Sequence, residues 1–451
     1  MKKGIIVYGI MLFLYSACAP GTVSENKPPQ GTNNIGFEFI YVSVNGNDTN
    51  SGVVTNSPLR SLPAAIAKAL ASGSTNILVT GGIYSSGSGL NSSTNGISIY
   101  NSARLKIAGG YDTNFSLQTG MTILDGADTL FHVIEIENSS NIVLRGLIIV
   151  RGKADGDPDH TMGGGIYIYN SFGIDISNCI VSNNSAKFDG GGIYLYGSSG
   201  TKINGLVSVN TANNGGGIYL CYCGNYTIGG MIYSNLAGGD GGGIYVFGGN
   251  DIFVQGIVSG NLATNFGGGV CINGGSDHSI SGHISNNTSL NSGGGVHFNG
   301  GNDFSITGIV TGNNTDYAGG GVYIGSGSGH SISGSINGNS ANTMGGGVLL
   351  TMGSYFSLNG TITGNNAAYG GGVYLGAGSN HTISGIISRN EASVFGGGIY
   401  LIDTGTEHTF SATISSNSIY GVYTNSSSNP VLTGVTWGAG VEINSPANVG
   451  P

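Results

Sequence analysis

The stretch from Asp189 to Gly197 reads DGGGIYLYG, so that three consecutive glycines run directly into an apolar segment. A glycine-rich loop can hold a phosphate group, but a nucleotide-binding domain uses such a loop once. Here the triplet occurs ten times, at intervals of 25 to 27 residues, with its first glycine at Gly163, Gly190, Gly215, Gly241, Gly267, Gly293, Gly319, Gly345, Gly370 and Gly396. Recurrence at a fixed interval indicates a repeated structural unit rather than a ligand site.

A second marker of each unit is an asparagine that follows an Ile or Val by three residues. If the units stack, the amide of each asparagine can bond backbone groups and the asparagine of the next unit. The predicted ladder consists of Asn183, Asn210, Asn235, Asn261, Asn287, Asn313, Asn339, Asn365, Asn390 and Asn417.

The apolar residues within each unit alternate with a period of two, which is typical of strands, and no unit contains a helical pattern. A unit of about 26 residues with two or three short strands cannot bury its own apolar face and must stack on its neighbours. The sequence therefore predicts an all-β fold, a single-stranded right-handed parallel β-helix with about 26 residues per coil. Pro63 to Ala71 is predicted as a helix that caps the N-terminal end, and Ile77 to Thr80 as a strand.

The amino-acid composition of the chain argues against some classes of protein. The 451 residues include 87 glycines, with 13 Lys and Arg against 22 Asp and Glu, for a net charge of −9. A hydrophobic content of 39% argues against disorder. Because a basic footprint is missing, a nucleic-acid partner is not expected.

The N-terminus reads MKKGIIVYGIMLFLYSAC, with two lysines before a short apolar segment. This pattern is typical of a signal peptide. The residues before Cys18 resemble a bacterial lipobox, which implies lipidation of Cys18, although Tyr15 departs from the usual Leu. We therefore expect a membrane partner through a lipid anchor, at the outer membrane or cell surface; the alternative is an ordinary secretory signal and a secreted protein.

The predicted organisation has five parts. Residues 1–18 form the lipoprotein signal peptide and 19–35 a flexible tether. Residues 36–100 form the N-terminal cap and first strands, 101–445 the β-helix with regular repeats from 163 to 423, and 446–451 a C-terminal tail. Trp437 is placed to close the C-terminal end of the stack.

The opening YVSVNGNDTNSG with SPLRSLPAAIAKA resembles the N-terminal signature of bacterial right-handed parallel β-helix proteins of the pectate-lyase-like superfamily. The repeats are similar to those of polymorphic outer membrane proteins, which pair GGA plus an aliphatic residue with FxxN. Here Ile or Val replaces Phe. The resemblance covers roughly residues 37–445 and implies the fold. For function it implies either a surface adhesin or a polysaccharide lyase or hydrolase.

Two acidic groups are candidate Ca²⁺ sites, and no other cofactor is expected. Asp251, Asp277 and Asp303 occupy one position in three consecutive units, so that a cation would relieve their repulsion. The alternative set is Asp155, Asp157 and Asp159, which alternate before His160. For both sets the simpler interpretation, which we prefer, is a solvated turn or loop.

Tyrosines recur beside the inward aliphatic positions and form a predicted outward, exposed ladder that could bind a glycan or a host or matrix protein. Its principal members are Tyr194, Tyr219, Tyr245, Tyr374 and Tyr400. The competing interpretation is that tyrosine simply favours strands and stacks on its neighbours.

Two other residue types are predicted to be structural. His278, His330, His381 and His408 share a register with Phe304 and Phe356, which favours stacking. Cys221 and Cys223 are expected on one face of a strand as buried or stacked thiols, as are Cys179 and Cys271.

No residues assemble into a predicted catalytic group. We therefore expect a non-enzymatic cell-surface lipoprotein that presents a β-helical rod for adhesion or surface interaction. The alternative is a polysaccharide lyase or glycan-binding or hydrolysing enzyme with its site near the three aspartates.

Overall fold

The computed structural model describes residues 38–91, 94–156, 160–402 and 408–424, together with the backbone of 436–437 and 443–444. The chain is an all-β parallel solenoid of about 13 turns, with about 26 residues per turn and a single helix near the N-terminus. The predicted fold class is thereby confirmed. Cys18, the tether, Asp157, Asp159 and the Trp437 side chain lie outside the described residues. Among the residues described, no helix is long and apolar enough to cross a membrane.

Sheet 1 contains one strand per turn, and the strand follows the glycine triplet in the regular coils. Its 14 strands are Asn95–Tyr100, His132–Glu137, Ile166–Tyr169, Ile193–Tyr196, Ile218–Cys221, Ile244–Phe247, Val270–Asn273, Val296–Asn299, Val322–Ile324, Val348–Leu350, Val373–Leu375, Ile399–Leu401, Val422–Thr424 and Ile443–Asn444.

Sheet 2 takes up the next part of each turn, and most regular coils contribute two short strands to it, separated by a glycine. Its 27 strands are Phe39–Val42, Asn76–Thr80, Gly82–Ser86, Gly89–Leu90, Lys106–Tyr111, Thr122–Asp125, Val143–Arg145, Leu147–Val150, Asp175–Ser182, Lys202–Ser208, Gly224–Ile228, Met231–Tyr233, Asn250–Val254, Ile257–Ser259, Ser279–Ile280, His283–Ser285, Ser305–Ile306, Ile309–Thr311, Ser331–Ile332, Ser335–Asn337, Ser357–Leu358, Thr361–Thr363, Thr382–Ile383, Ile386–Ser388, Thr409–Phe410, Thr413–Ser415 and Thr436–Trp437.

Sheet 3 lies between the asparagine and the next glycine triplet. Its 10 strands are Lys153–Ala154, Ser185–Ala186, Thr211–Ala212, Leu236–Ala237, Leu262–Ala263, Thr288–Ser289, Asn314–Thr315, Ser340–Ala341, Asn366–Tyr369 and Glu391–Phe395.

Alternating aliphatic residues form the core. Ile193 pairs in parallel register with Ile218, and Leu195 pairs with Leu220. These side chains are fully buried, and one continuous apolar cluster extends from Ile40 to Val422. Because each coil buries its inner face only between its neighbours, the stack as a whole supplies the hydrophobic stabilisation.

The glycine triplet is a corner where coils touch backbone to backbone. Gly190 has a φ of +64°, a conformation that side-chain-bearing residues rarely adopt. A Cβ atom on Gly191 would lie 2.4 Å from the carbonyl oxygen of Thr211 in the next coil. A Cβ on Gly192 would lie 2.7 Å from the carbonyl oxygen of Gly217. DGGGIYLYG is therefore a corner followed by a strand, and the glycines permit the close approach of the next coil.

The helix, Leu62–Ser72, closes the apolar interior at the N-terminal end. Ser61 caps it by accepting a hydrogen bond from the Ala64 amide at 3.3 Å, and Gly73 ends it in a left-handed conformation. Leu62 and Ile66 are buried in the same cluster as the strand interiors. The helix packs against the first strands of sheets 1 and 2, as expected of a solenoid cap.

The asparagines of successive coils form a continuous buried ladder. The amide oxygen of Asn313 accepts hydrogen bonds from the backbone nitrogen of Asn287 at 2.9 Å and from its Nδ2 at 3.0 Å. Asn287 Nδ2 also donates to the Val258 carbonyl at 2.9 Å. The same pattern joins all the predicted asparagines from Asn210 to Asn417.

The prediction was wrong at Asn183, because the ladder begins at Asn184. Asn184 Nδ2 donates to the amide oxygen of Asn210 at 3.1 Å, whereas Asn183 is half-exposed with a φ of 55°. The strand Asp175–Ser182 shifts register between Ser177 and Ile180, so that Val181 rather than Ile180 is the buried residue. This extra residue moves the asparagine one position along the chain.

Candidate functional site

The predicted tyrosine ladder is in register but not exposed. Tyr194 pairs with Tyr219, which pairs with Tyr245 in the next coil, and their rings stack at 5.1 to 5.4 Å. The expectation of an exposed ladder was wrong, because only 5% to 9% of the surface of its five principal members is exposed; these are Tyr194, Tyr219, Tyr245, Tyr374 and Tyr400. A polymer in solvent cannot reach these rings.

The residues just before each glycine triplet cover the ladder. Met162 and Phe266 pack on the tyrosines of the earlier coils, and Met344, Tyr369 and Phe395 on those of the later coils. A second apolar layer therefore lies outside sheet 1. Burial in this layer raises the pKa of Tyr245 and Tyr374 to about 12, so that their hydroxyl groups stay protonated at neutral pH.

The same covering position contains polar residues in four coils: Asp189, Asn214, Asp240 and Ser292. Asn214 Nδ2 donates to Asp189 at 3.0 Å, and Asn214 Oδ1 accepts from the Asp240 backbone nitrogen at 3.1 Å. Asn265 Nδ2 donates to Asp240 at 2.9 Å. Burial raises the pKa of both aspartates, but their hydrogen bonds hold them within the layer.

A row of exposed and half-buried aromatic residues lies two or three positions beyond the ladder tyrosines, at or just after the ends of the same strands. We define the aromatic strip as Tyr169, Tyr196, Tyr222 and Phe247, from four successive coils. The rings of Tyr169 and Tyr196 stack at 5.3 Å, and that of Tyr222 is nearly perpendicular to those of Tyr196 and Phe247. Tyr222 is 60% exposed and Phe247 36% exposed. Neighbouring exposed aromatics are a common mark of an interaction surface.

A polar cluster continues this surface toward the N-terminus. We define the acidic pocket as Asn95, Ser98, Tyr100, Glu135 and Glu137, which lie on the first two strands of sheet 1. Glu135 Oε2 accepts hydrogen bonds from Asn95 Nδ2 at 2.7 Å, from Ser98 Oγ at 2.8 Å and from the Tyr100 hydroxyl. Glu135 is buried although it lies on the outer side of the strand.

The acidic pocket and the aromatic strip are neighbours in the strand pairing of sheet 1. Glu137 pairs with Tyr100 on one side and with Tyr169, the first ring of the strip, on the other. Burial and the charge of Glu135 raise the pKa of Glu137, and burial raises the pKa of Tyr100 to about 12. The partly exposed Glu137 therefore lies at the end of the strip, two positions along the strand from the buried Glu135.

A buried histidine lies beside the pocket. His132 Nδ1 is 2.9 Å from the Gly163 carbonyl oxygen, and its ring stacks between those of His160 and Tyr167. Burial lowers its pKa to about 4, so that His132 is neutral at physiological pH. It therefore does not neutralise the two glutamates.

The sequence-based search missed the acidic pocket. Its members come from strands about 40 residues apart, and neither strand belongs to the regular repeat. The one available signal is the segment HVIEIE, His132 to Glu137, which places two glutamates at outward positions of an otherwise apolar strand.

The three aspartates proposed for Ca²⁺ occupy equivalent turn positions. The residues before them pair from coil to coil, and Asp251, Asp277 and Asp303 have φ angles of 55° to 60°. Their backbone nitrogens donate to carbonyls of the next coil, as in the bond from Asp277 to Asn302 at 3.2 Å. This left-handed turn conformation favours Asp without a cation.

Of the alternative acidic set, Asp155 forms an ion pair with Lys153 at 2.8 Å, and Asp157 and Asp159 lie outside the described residues. Within the described part of the chain, no three His, Cys, Asp or Glu residues are grouped to hold a metal ion.

The four histidines at the start of sheet 2 are buried between coils. His330 Nδ1 accepts from the Phe304 backbone nitrogen at 3.3 Å, and its Nε2 lies 3.1 Å from the Ser326 carbonyl oxygen. His278 uses the same two kinds of partner. His381 and His408 stack on each other at 4.9 Å. These rings link neighbouring coils.

All four cysteines after Cys18 are buried as free thiols. Cys221 packs with the outer tyrosine layer, whereas Cys223 belongs to the inner core. The expectation that the two share one face was wrong, because Tyr222 between them has a φ of 48° and turns the chain. Burial raises the pKa of Cys179 to about 12 and that of Cys221 to about 11, which keeps both thiols protonated.

Comparison with known proteins concerns the fold. The family described as "Right handed beta helix region" matches residues 132–282. The chain contains a right-handed parallel β-helix. The crystal structure of pectate lyase Pel9A is similar over 73% of this chain and 78% of that chain, with 15% identity and a TM-score of 0.36. No curated protein matches the chain.

Proposed function

We propose that this chain is a non-enzymatic cell-surface lipoprotein whose β-helical rod binds an extended glycan along the aromatic strip. The observation that carries the proposal is the aromatic strip on four successive coils, in which Tyr222 and Phe247 are exposed and Tyr169 and Tyr196 are half-buried. Coils repeat at about 4.8 Å, which is close to the length of one pyranose unit in an extended glycan. Successive sugars can therefore meet successive rings in a repeating contact.

The interactions of the repeated polar residues support a scaffold rather than an enzyme. The asparagines bond to each other and to backbone carbonyls, and the histidines at the start of sheet 2 bond to backbone groups of adjacent coils. Side chains held in this way are unavailable as nucleophile or base.

The second candidate function is cleavage of a polysaccharide, as in the lyases and hydrolases that the resemblance implies. One observation favours it: Glu135 and Glu137 lie on the outer side of one strand, and burial raises the pKa of Glu137. Paired carboxylates in different environments can divide acid and base roles.

A turnover assay separates the two functions. We expect no product from a panel of neutral, acidic and amino-sugar polysaccharides, with or without Ca²⁺. Turnover that disappears in both Glu135→Gln and Glu137→Gln would establish the enzymatic alternative.

Binding tests the proposed function directly. The full chain is applied to a glycan array, and its affinity for each bound glycan is compared with that of Tyr222→Ala and Tyr355→Ala. These residues are matched because Tyr222 is 60% and Tyr355 64% exposed, but only Tyr222 belongs to the strip. We expect at least tenfold weaker binding for Tyr222→Ala, since stacking contacts carry much of such binding.

For Tyr355→Ala we expect unchanged binding. Equal losses in both variants would show that the strip has no special role, and the absence of any bound glycan would refute the proposal.

The buried ladder supplies a second control. Tyr219→Ala is expected to lower the unfolding midpoint, because Tyr219 is 9% exposed, whereas Tyr222→Ala is expected to leave it within a few degrees. If Tyr219→Ala instead loses glycan binding and keeps its unfolding midpoint, the binding site must be assigned to the buried tyrosine ladder.

The surface location depends on Cys18. If Cys18 carries a lipid, Cys18→Ser should move the chain from the membrane fraction to the soluble fraction of expressing cells. Retention of the variant in the membrane fraction would contradict the anchor and leave the glycan-binding proposal to its own test.

A further inference from the structure

One buried position of each coil changes its chemistry along the rod. It lies two residues before a core residue of sheet 2, as His278 lies before Ile280. In the coils nearer the N-terminal cap the position contains no histidine; its residues there are Leu105, Ile142, Ile174, Thr201, Tyr226 and Ile252. In the later coils every residue at the position is a ring: His278, Phe304, His330, Phe356, His381 and His408. We define the histidine column as the four histidines among them.

Each histidine of the column accepts a hydrogen bond from the backbone of the preceding coil through its ring nitrogen Nδ1. The donors are the backbone nitrogens of Ile252, Phe304, Phe356 and His381, at 3.3 to 3.4 Å. A ring nitrogen accepts a hydrogen bond only when it carries no proton, so that the proton of the neutral ring lies on Nε2. These four contacts between coils therefore require the neutral form of histidine.

Protonation reverses the role of Nδ1. The other nitrogen, Nε2, lies 3.2 Å from the Gly274 carbonyl oxygen in His278 and 3.1 Å from the Ser326 carbonyl oxygen in His330, which suits a donor. A second proton on Nδ1 makes it face a backbone N–H group, so that two donors meet. Protonation also buries a positive charge, because His278 and His330 are each 1% exposed.

Three aspartates act on the first two histidines of the column. Asp251 and Asp277 attract a charge on His278, and Asp303 attracts one on His330. Burial has the larger effect, so that the pKa of both histidines lies below the ordinary value of 6.5. The aspartates therefore moderate the cost of protonation without removing it.

His381 has a second histidine as its charged neighbour. Its ring stacks on that of His408 at 4.9 Å, and burial together with this neighbour lowers the pKa of His381 to about 4. Because the folded-state pKa is lowered, the unfolded chain binds more protons below pH 6.5. The stability contributed by neutral His381 is complete above pH 6.5 and is lost as the pH falls toward 4.

We propose that the histidine column makes the far coils of the rod, which begin at residue 276, an acid-sensitive segment that opens at the start of sheet 2. The near coils, before residue 276, lack these contacts and stay closed. His132 in the near coils differs, because its Nδ1 lies 2.9 Å from the Gly163 carbonyl oxygen and can donate to it when protonated. The aromatic strip ends at Phe247 and therefore lies wholly on near coils. The inference is thus independent of glycan binding.

Hydrogen–deuterium exchange of the full chain at pH 7.5 and pH 4.5 tests the proposal, with each rate corrected for the pH dependence of intrinsic exchange. Peptides over 276–286, 328–338 and 379–388 report on the far coils, and peptides over 142–150 and 174–182 on the near coils. We expect protection to fall about tenfold or more in the far coils, because one pKa unit corresponds to a factor of ten. In the near coils it should fall by less than about twofold.

His330→Phe is the decisive variant, because Phe304 and Phe356 occupy the same position in the coils on either side. It keeps a buried ring that cannot be protonated, and the peptide over 328–338 should therefore lose its acid response. His283→Asn is the matched control, since His283 is a half-buried residue of sheet 2 outside the column. It should leave the response of every peptide unchanged. If His330→Phe does not fold at pH 7.5, His278→Phe replaces it, read from the peptide over 276–286.

Three outcomes would overturn the proposal. The first is an equal loss of protection in the near and far coils, and the second is an acid response that His330→Phe leaves unchanged. The third is loss of the response in both His330→Phe and His283→Asn, which would assign it to the general charging of the rod. His297 is also buried in the far coils and titrates in the same direction, but it is common to the chains compared.

Discussion

The regular coils and the first two strands of sheet 1 use the outer face of that sheet in opposite ways. In the regular coils many positions pair with a similar residue, as Tyr194 does with Tyr219, whose rings stack on each other. At Asn95–Tyr100 and His132–Glu137 unlike residues pair, as Ser98 does with Glu135 and Tyr100 with Glu137. Repetition lets the asparagine column satisfy itself, whereas other positions leave some buried polar atoms of the described residues without a partner, as at Asn95 Oδ1 and His381 Nε2.

The comparison explains why the repeated residues are poor candidates for function. An asparagine in the ladder makes its hydrogen bonds to the coils on either side, so that no donor remains for a ligand. Asn95 lies outside that ladder, and its oxygen accepts nothing from the described chain. Departures from the repeat are therefore the places to look for binding.

The most severe way to break the regular coils is at the glycine corner. A Cβ on Gly294 would lie 2.4 Å from the Asn314 carbonyl oxygen and 2.5 Å from that of Gly320. Gly294→Ala must therefore push neighbouring coils apart, and we expect a loss of about 4 kcal/mol or more of unfolding free energy. Denaturant unfolding followed by circular dichroism measures it.

Gly338→Ala is the control for that experiment. Gly338 has a φ of +61°, but a Cβ added there would have no atom within 4 Å, so that only backbone strain opposes the change. We expect a cost of about 1 kcal/mol. Similar costs for the two variants would show that the triplet is not a close contact between coils.

The asparagine ladder is the next target. Asn287→Ala removes the acceptor for Asn261 and the donor to the Val258 carbonyl, which leaves several buried polar groups unpaired. We expect a loss of about 3 kcal/mol, measured by the same unfolding method. Asn183→Ala should cost about 1 kcal/mol or less, because Asn183 lies outside the ladder in a left-handed turn. Equal losses would contradict the assignment of Asn184 as the first member.

The repeat period is the feature that made most of this fold predictable from the sequence. The interval between glycine triplets predicts the length of one coil. Residues equivalent to Asn287 and Ile193 recur at the same place in the regular units, and this recurrence predicts the asparagine ladder and the aliphatic core. Asn183 was misplaced because a bulge upstream adds one residue, and two adjacent asparagines hide the shift.

The outer surface could not be predicted in the same way. Whether Tyr219 is covered depends on how the residues before the next triplets, such as Phe266, pack over sheet 1. The acidic pocket joins Asn95 to Glu135 across 40 positions without a repeat to relate them. A linear pattern fixes which side of a strand a residue occupies, but not what lies over that side.

The smallest expected effect tests the outer layer through pH. His297 occupies a position in the tyrosine column and stacks between Phe266 and Tyr323 at 4.6 and 4.5 Å. Burial lowers its pKa to about 4, below the value near 6.5 of an unfolded chain, so that the unfolded state binds more protons between these values. The stability contributed by neutral His297 is complete above pH 6.5 and is lost as the pH falls toward 4.

His297→Phe keeps the stacked ring but cannot be protonated. Between pH 7.5 and 5 the variant should therefore lose about 2 kcal/mol less unfolding free energy than the unchanged chain. Denaturant unfolding at the two pH values measures the change; the raised pKa values of Asp189 and Asp240 act in the opposite direction but are common to both proteins. An unchanged pH dependence would mean that water reaches His297, and that the layer over sheet 1 is as open as the aromatic strip beside it.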